Sequence, residues 1–597
     1  MGPGGSRGGR PNEKSKNFSA AMKRIFKELS GLILPTIIAV LFATGGSILM
    51  IIAPNEVSDL IDEITGGLTS AGIDFDAVKT IATVLGVMYL AGALCQLFEA
   101  FLMSEVSNRF AQTLRKRISR KINVLPLSYF DKNQTGDTLS RVTNDVDTIS
   151  QSLSQSLSTL ISESILLIGV AIMMFITNVH MAGIAVFASV IGFVFMGLIM
   201  SKSQKYFSMR QIELGKLNSH IEQIYSGLIV VKAYNGKNDS DKKFDKYNQS
   251  VYIANQKSRF LGGLMHPIMN FIGNLGYVAV CVTGAILVKN GTISIGVIVA
   301  FITYVRLFTS PLSNIAQSFT SLQSAAAASE RVFEFLDATE IPREVKVIER
   351  LAREDIKGEI EFRHVKFGYN PDKIIIKDFN AIAKPGQKIA IVGPTGAGKT
   401  TLVNLLMRFY DINDGEILID GRPSTELSRK EVHSLFTMVL QDTWMFEGTL
   451  RDNIVYNRKG VSDKEVMKIC DEVGLTHFVK TLPKGLDTEM SETDSISSGQ
   501  KQLITIARGM IEDSPFLILD EATSNVDTRT EELVQQAMDK LTKGRTSFVI
   551  AHRLSTIKNA DLILVMRDGD VIESGNHDEL MKQNGFYADL YNSQFAL

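Results

Sequence analysis

The run Phe516-Leu517-Ile518-Leu519-Asp520-Glu521 sets four apolar residues before two carboxylates, about 120 residues after a Gly-rich stretch, Gly393 to Thr400. An unbroken apolar run of this length suits a central strand of a parallel sheet, whose carboxyl end is where ligands bind. At that end Asp520 is placed to hold a magnesium ion, and Glu521 to act as general base on an attacking water. This is the chemistry of nucleotide hydrolysis, with ATP as the fuel.

The Gly-rich stretch has the context such chemistry needs. Lys388 to Val392 predicts a strand, Gly393-Pro394-Thr395-Gly396-Ala397-Gly398-Lys399-Thr400 a loop, and Thr401 to Met407 a helix. Glycines let backbone N–H groups close around phosphate oxygens at the helix N-terminus. Lys399 adds positive charge on the terminal phosphates, and the Thr400 hydroxyl is a magnesium ligand. The expected cofactors are ATP and Mg2+.

The elements that must carry this site divide unequally along 597 residues, of which 45% are hydrophobic and 21% charged. Stretches 31–54, 80–98, 164–201 and 261–288 hold no Asp, Glu, Lys or Arg, and each is long enough to cross a bilayer. The run 164–201 is long enough for two crossings and is split near Thr177-Asn178-Val179-His180, and a further span is expected at about 294–312. The expected fold is an all-α six-helix transmembrane domain followed by an α/β P-loop nucleotide-binding domain. Its divisions are a Gly/Arg-rich tail at 1–17, too poor in apolar groups to pack, spans and cytoplasmic helices at 18–336, a linker at 337–357, and the nucleotide-binding domain at 358–597.

Lys14, Lys16, Lys23, Arg24 and Lys27 precede the first span, whereas loop 55–77 carries acidic residues and no Lys or Arg. Basic flanks stay on the cytoplasmic side, which predicts both termini there. The first apolar run is too long for a secretory signal, and no small-residue cleavage pattern follows it. Cys95, Cys281 and Cys470 have no paired spacing, which supports neither a disulfide framework nor a metal site. A net charge of −1 gives no reason to expect nucleic acid as a partner.

With six spans, the loop and the carboxylate strand in view, residues 15–595 resemble an ATP-binding cassette exporter of the half-transporter type. The resemblance implies that Tyr369 stacks on adenine, that Gln441 senses magnesium and the membrane domain, and that His552 is the switch histidine near the γ-phosphate. Asp527 would lie in the loop crossing to the partner cassette, Thr401 would join the nucleotide-binding residues, and 135–146 and 225–234 would be coupling helices. The same resemblance places the chain in a plasma membrane of bacterial type, with a second half-transporter subunit, the lipid bilayer and a lipophilic small molecule as partners.

One motif departs from the family. Its Leu-Ser-Gly-Gly-Gln signature reads Ile496-Ser497-Ser498-Gly499-Gln500 here, and Ser491-Glu492-Thr493-Asp494 departs from the Gly-Glu-x-Gly usual before it. In the family the signature meets the γ-phosphate of ATP held by the other subunit, where the Cβ of Ser498 crowds the approach. An intact catalytic head with an altered signature implies a heterodimer with one strong and one weak ATP site, and a homodimer that tolerates Ser498 stays open. The expected activity is ATP-driven export of lipophilic or amphipathic compounds of drug or lipid type. Peptide export, import by an exporter fold and a regulatory subunit with little transport of its own are the alternatives. Glu163, Arg306, His266, Asn270 and Asn274 are candidates either for a cavity lining or for span-end and interhelical contacts.

Overall fold

The structure, a computed structural model, describes residues 15–69, 72–133, 135–342, 344, 356–370, 372–440, 443–491, 496–520, 528–550 and 554–595. It divides into two compact units, one of Met1–Leu125 and Asn133–Glu340, the other of Pro126–Lys132 and Ile341–Leu597.

Among the described residues, six helices of the first unit are long and apolar enough to span a membrane, and they lie in Phe18–Leu68, Phe75–Ile122, Thr135–Thr177, Val179–Ser226, Asn270–Lys289 and Ile295–Asp337. At 1.5 Å per residue the 48-residue helix Phe75–Ile122 is about 72 Å long, more than twice the hydrocarbon thickness of a bilayer. The expected split of 164–201 falls at Asn178, whose extended backbone ends one helix and whose side chain accepts from the N–H groups of His180 and Met181 to start the next. The break expected at Gly136 is displaced, because the helix restarts at Thr135 and Gly136 lies inside it.

Small residues bring the span helices close, as packing without a hydrophobic driving force requires. A Cβ at Gly169 would meet Ile51 Cδ1 at 2.3 Å, and one at Gly46 would meet Cys95 Cβ at 3.4 Å. Polar groups bridge the same helices: Tyr304 donates to Asn55 Oδ1 at 2.8 Å, and Asp62 accepts from Gly296 N at 2.8 Å. Arg331 binds the buried carboxylate of Asp145 through two nitrogens, at 3.0 and 2.5 Å. Glu163 accepts from Asn314 at 2.7 Å, which is the interhelical alternative for that residue. The side chain of His266 lies outside the described residues.

The second unit is mixed α/β. Strands β1 (Ile360–Phe367), β2 (Ile376–Ala383), β3 (Lys388–Val392), β4 (Asp414–Ile419) and β5 (Arg422–Pro423) come first along the chain. They are followed by β6 (Phe436–Val439), β7 (Gly448–Thr449), β8 (Glu489–Met490), β9 (Phe516–Asp520), β10 (Thr546–Ile550), β11 (Leu562–Arg567) and β12 (Asp570–Gly575). The main sheet has the order β12-β11-β3-β10-β9-β6, and a smaller antiparallel sheet the order β2-β1-β4-β5. In the main sheet β11, β3, β10, β9 and β6 run parallel, and only β12 pairs antiparallel. The apolar runs of β3, β9 and β10 are buried, as strands covered on both faces must be.

Candidate nucleotide site

The sheet register brings the two halves of the site to one edge. Ile550 of β10 is level with Ile391 of β3 on one side and with Asp520 of β9 on the other. Asp520 therefore ends its strand at the edge where Val392 leads into Gly393. Two strand spacings, roughly 10 Å, separate these strands.

The loop between β3 and the helix Lys399–Leu406 depends on its glycines. A Cβ at Gly393 would lie 2.2 Å from the carbonyl oxygen of Met566. Gly398, the residue that caps the helix, has φ +101°, a left-handed conformation that side-chain-bearing residues rarely adopt. Lys399 is buried, and its ammonium donates to the carbonyls of Gly393 at 2.6 Å and Pro394 at 3.1 Å. Burial pushes its pKa down, and the charge of Asp520 opposes that shift. Pro394, Thr395, Gly396 and Thr400 are exposed while Ala397 is buried, so the loop turns its phosphate-facing side outward.

Tyr369 stands over the start of the same helix. Its hydroxyl donates to Thr401 Oγ1 at 3.4 Å and accepts from Asn404 Nδ2 at 3.3 Å. Phe367 and Tyr410 pack edge-on against its ring, with centroids 5.0 and 4.9 Å away. Tyr369 is 37% exposed, leaving ring surface for a base to stack on.

Thr400 and Asp520 supply a hydroxyl and a carboxylate, hard oxygen donors that fit Mg2+. The ion would neutralise charge on the phosphates. Glu521, Gln441, Asp527 and His552 lie outside the described residues. Glu521 nonetheless follows Asp520 directly in the chain, and His552 follows the end of β10 by two residues.

The altered signature opens the helix Ser498–Glu512. Ser497 caps it: its hydroxyl accepts from Gln500 N at 3.2 Å, and Gln500 Oε1 accepts from Ser497 N at 3.1 Å. Ser498 takes the first helical position with its side chain exposed, and Gly499 is buried behind it. Further along, Arg508 donates to the carbonyl of Asn453 at 2.8 Å and lies over the rings of Phe446 and Tyr456 at 5.6 and 5.5 Å. The sequence reading missed this arginine and also Asn404 and Tyr410. The signal was weak, one polar and one aromatic residue within eleven positions of Lys399.

Residues 36–312 match the ABC transporter transmembrane region, and residues 376–524 match the ABC transporter domain. The chain is 40% identical over 614 residues to the fatty acid ABC transporter ATP-binding/permease protein of Mycobacterium bovis, covering 97% of each. It is 33% identical to the ATP-dependent lipid A-core flippase of Syntrophus aciditrophicus, covering 99% of this chain and 97% of that one. Among solved structures it is similar to a bacterial Atm1-family ABC exporter with ATP bound, with a TM-score of 0.72, 26% identity, and coverage of 95% of this chain and 98% of that one. With its six apolar helices, its phosphate loop and its carboxylate strand, the chain belongs to the ATP-binding cassette transporters, as a half-transporter of the exporter type that couples ATP hydrolysis to transport across a membrane.

Proposed function

We propose that this chain is one half of a heterodimeric exporter that moves lipophilic or amphipathic compounds, such as fatty acids or other lipids, across a bacterial plasma membrane. The substrate class is supported by what the 40% identical relative is named for. Both termini are cytoplasmic in this reading, as the basic flank of the first span suggests.

The observation that carries the heterodimer is Ser498, exposed at the first position of the signature helix in a chain whose own loop and carboxylate strand are intact. Glu521 is then the general base, and His552 and Gln441 complete the head around the γ-phosphate. Thr400, Asp520 and Gln441 hold Mg2+, partly through water. Asp527 reaches the partner, whose signature closes this chain's ATP, while Ser497, Ser498, Gly499 and Gln500 face the partner's weaker site. The segment 225–234, which breaks at Gly227 and holds the short helix Leu228–Ala233, leaves Tyr225, Ile229 and Tyr234 79%, 85% and 84% exposed, which suits docking on the second subunit.

The test is ATP turnover in lipid nanodiscs by this chain alone and co-expressed with a second half-transporter whose signature is intact. Turnover only by the pair, abolished by Glu521→Gln, supports the asymmetric reading. Full turnover by the chain alone, as a dimer by mass measurement, replaces it with a homodimer.

A further inference from the structure

Arg306 lies in the span helix Ile295–Asp337, roughly 17 Å beyond its first residue and so near the middle of a hydrocarbon core about 30 Å thick. The residue is exposed, and its guanidinium has no hydrogen bond or ion pair among the described residues. Glu163 is taken by Asn314, and Asp62 by Ser294 and the N–H of Gly296. Thr303, Arg306, Ser310, Ser313 and Gln317 recur at intervals of three and four, which sets them on one face of the helix. The opposite face, with Ala300, Phe301, Tyr304 and Val305, is buried against other spans. Between Ile295 and Phe319 this helix leaves no large apolar side chain exposed, whereas Phe75–Ile122 exposes Leu90, Leu94 and Leu97, and Val179–Ser226 exposes Val190, Val194 and Leu198. Those apolar faces suit acyl chains. A stripe of hydroxyls, an amide and a guanidinium does not, because a charge set against hydrocarbon is costly, so the stripe is fit to line a water-filled path.

We propose that Arg306 anchors the anionic headgroup of the transported amphiphile, a carboxylate or a phosphate, with Ser310 and Ser313 as further donors beside it. This rests on the reading of the chain as a lipophilic exporter, and adds which end of the substrate is recognised and by what. A guanidinium presents paired N–H groups that match two oxygens of a carboxylate or phosphate, and it keeps its charge at any working pH. With no carboxylate of the described residues on it, that fork is free to take one from a ligand. Low-dielectric walls around the path make the attraction stronger than it is in bulk water. Ser310, one helical turn on, and Ser313, two turns on, set hydroxyls on the same line, and each hydroxyl has a proton to give to a remaining headgroup oxygen. An uncharged amphiphile with the same tail leaves the guanidinium without an anionic partner, and the site discriminates against it on that account.

The test uses the assembled transporter in lipid nanodiscs and reads the concentration of oleate, oleyl phosphate or oleyl alcohol that half-stimulates ATP turnover. The three share one tail and differ in the headgroup. The wild type is expected to respond to one or both anions at a concentration about tenfold or more below that of the alcohol, as a charged hydrogen bond gives, and the anion it favours assigns carboxylate or phosphate. Arg306→Gln should raise the value for that anion by about tenfold or more and leave the alcohol within about twofold. Ser310→Asp keeps Arg306 but offers it a carboxylate one turn away, and should weaken the anion in the same way, which serves if Arg306→Gln does not assemble. Equal values for anions and alcohol in the wild type overturn the anchor, as does an anion preference that survives in Arg306→Gln. Loss of the dimer by mass measurement in both variants makes the stripe a seam between subunits and overturns it too. Stimulation of the wild type by none of the three is a different result, which removes the lipophilic-export reading and the anchor with it.

Discussion

Lys399 turns its ammonium back onto the carbonyl of Gly393, 2.6 Å away, so that the loop closes on its own cation. Terminal phosphates must take over that hydrogen bond when nucleotide binds, and the ammonium exchanges a neutral acceptor for an anionic one, a stronger bond. Lys399→Ala removes the cation from both states. The expected outcome is loss of ATP binding by isothermal calorimetry, with the melting temperature of the unliganded protein close to that of the wild type.

Glu521→Gln keeps the size of the side chain and removes its basicity. Turnover should fall by about 10²- to 10⁴-fold, the usual contribution of a general base, while ATP binding persists. Phosphate release measured beside binding separates these effects. Retention of turnover would move the base to another residue.

Ser498→Gly restores the family's first signature glycine. If crowding by the side chain takes one N–H donor out of reach of the γ-phosphate, the substitution should raise turnover at the weak site, by up to about 10²-fold. Single-turnover kinetics on the assembled pair report each site. No change in either phase would show that the serine is accommodated.

Arg331→Met leaves the buried carboxylate of Asp145 without its cationic partner. Breaking a buried pair by removing one member costs about 3 kcal/mol or more, which the partial exposure of Arg331 makes an upper bound here, whereas removing both is often nearly neutral. Arg331→Met should therefore lower the unfolding midpoint, and adding Asp145→Asn should recover part of the loss. Thermal unfolding of the three proteins in one lipid composition checks this.

His433 is exposed at its outer edge, with Nε2 2.9 Å from the carbonyl of Met407, as the tautomer protonated at Nε2 requires. Burial lowers its pKa, and the hydrogen bond to Met407 only partly opposes this. The unfolded chain takes up this proton at about pH 6.5 and the folded chain at lower pH. Stability is therefore full above that value and declines modestly as pH falls below it, since solvent reaches the exposed ring. Melting at pH 7.5 and 5.5 should show a smaller acid loss for His433→Gln than for the wild type.

Local signals made much of this architecture legible. The strands at 388–392 and 516–520 followed from unbroken apolar runs, and the two helices meeting at Asn178 followed from one polar interruption. What was not legible depends on distant parts of the chain. Glu163 and Asn314 are 151 residues apart, so no window of sequence shows the pair. Gly136 misled because glycine marks a break only where the backbone needs its freedom, and here it sits in the first turn of a helix. The expected roles of Glu521, Gln441, Asp527 and His552 rest on the motifs that contain them.

Asn178 is the single residue between the helices Ser158–Thr177 and Val179–Ser226. The second of these extends about 72 Å from that joint. A pivot with so long an arm multiplies small angles: a turn of about 5° at Asn178 sweeps the far end through roughly 6 Å, about one helical turn. A joint of one residue also leaves little chain on that side for a protease or an antibody to grip.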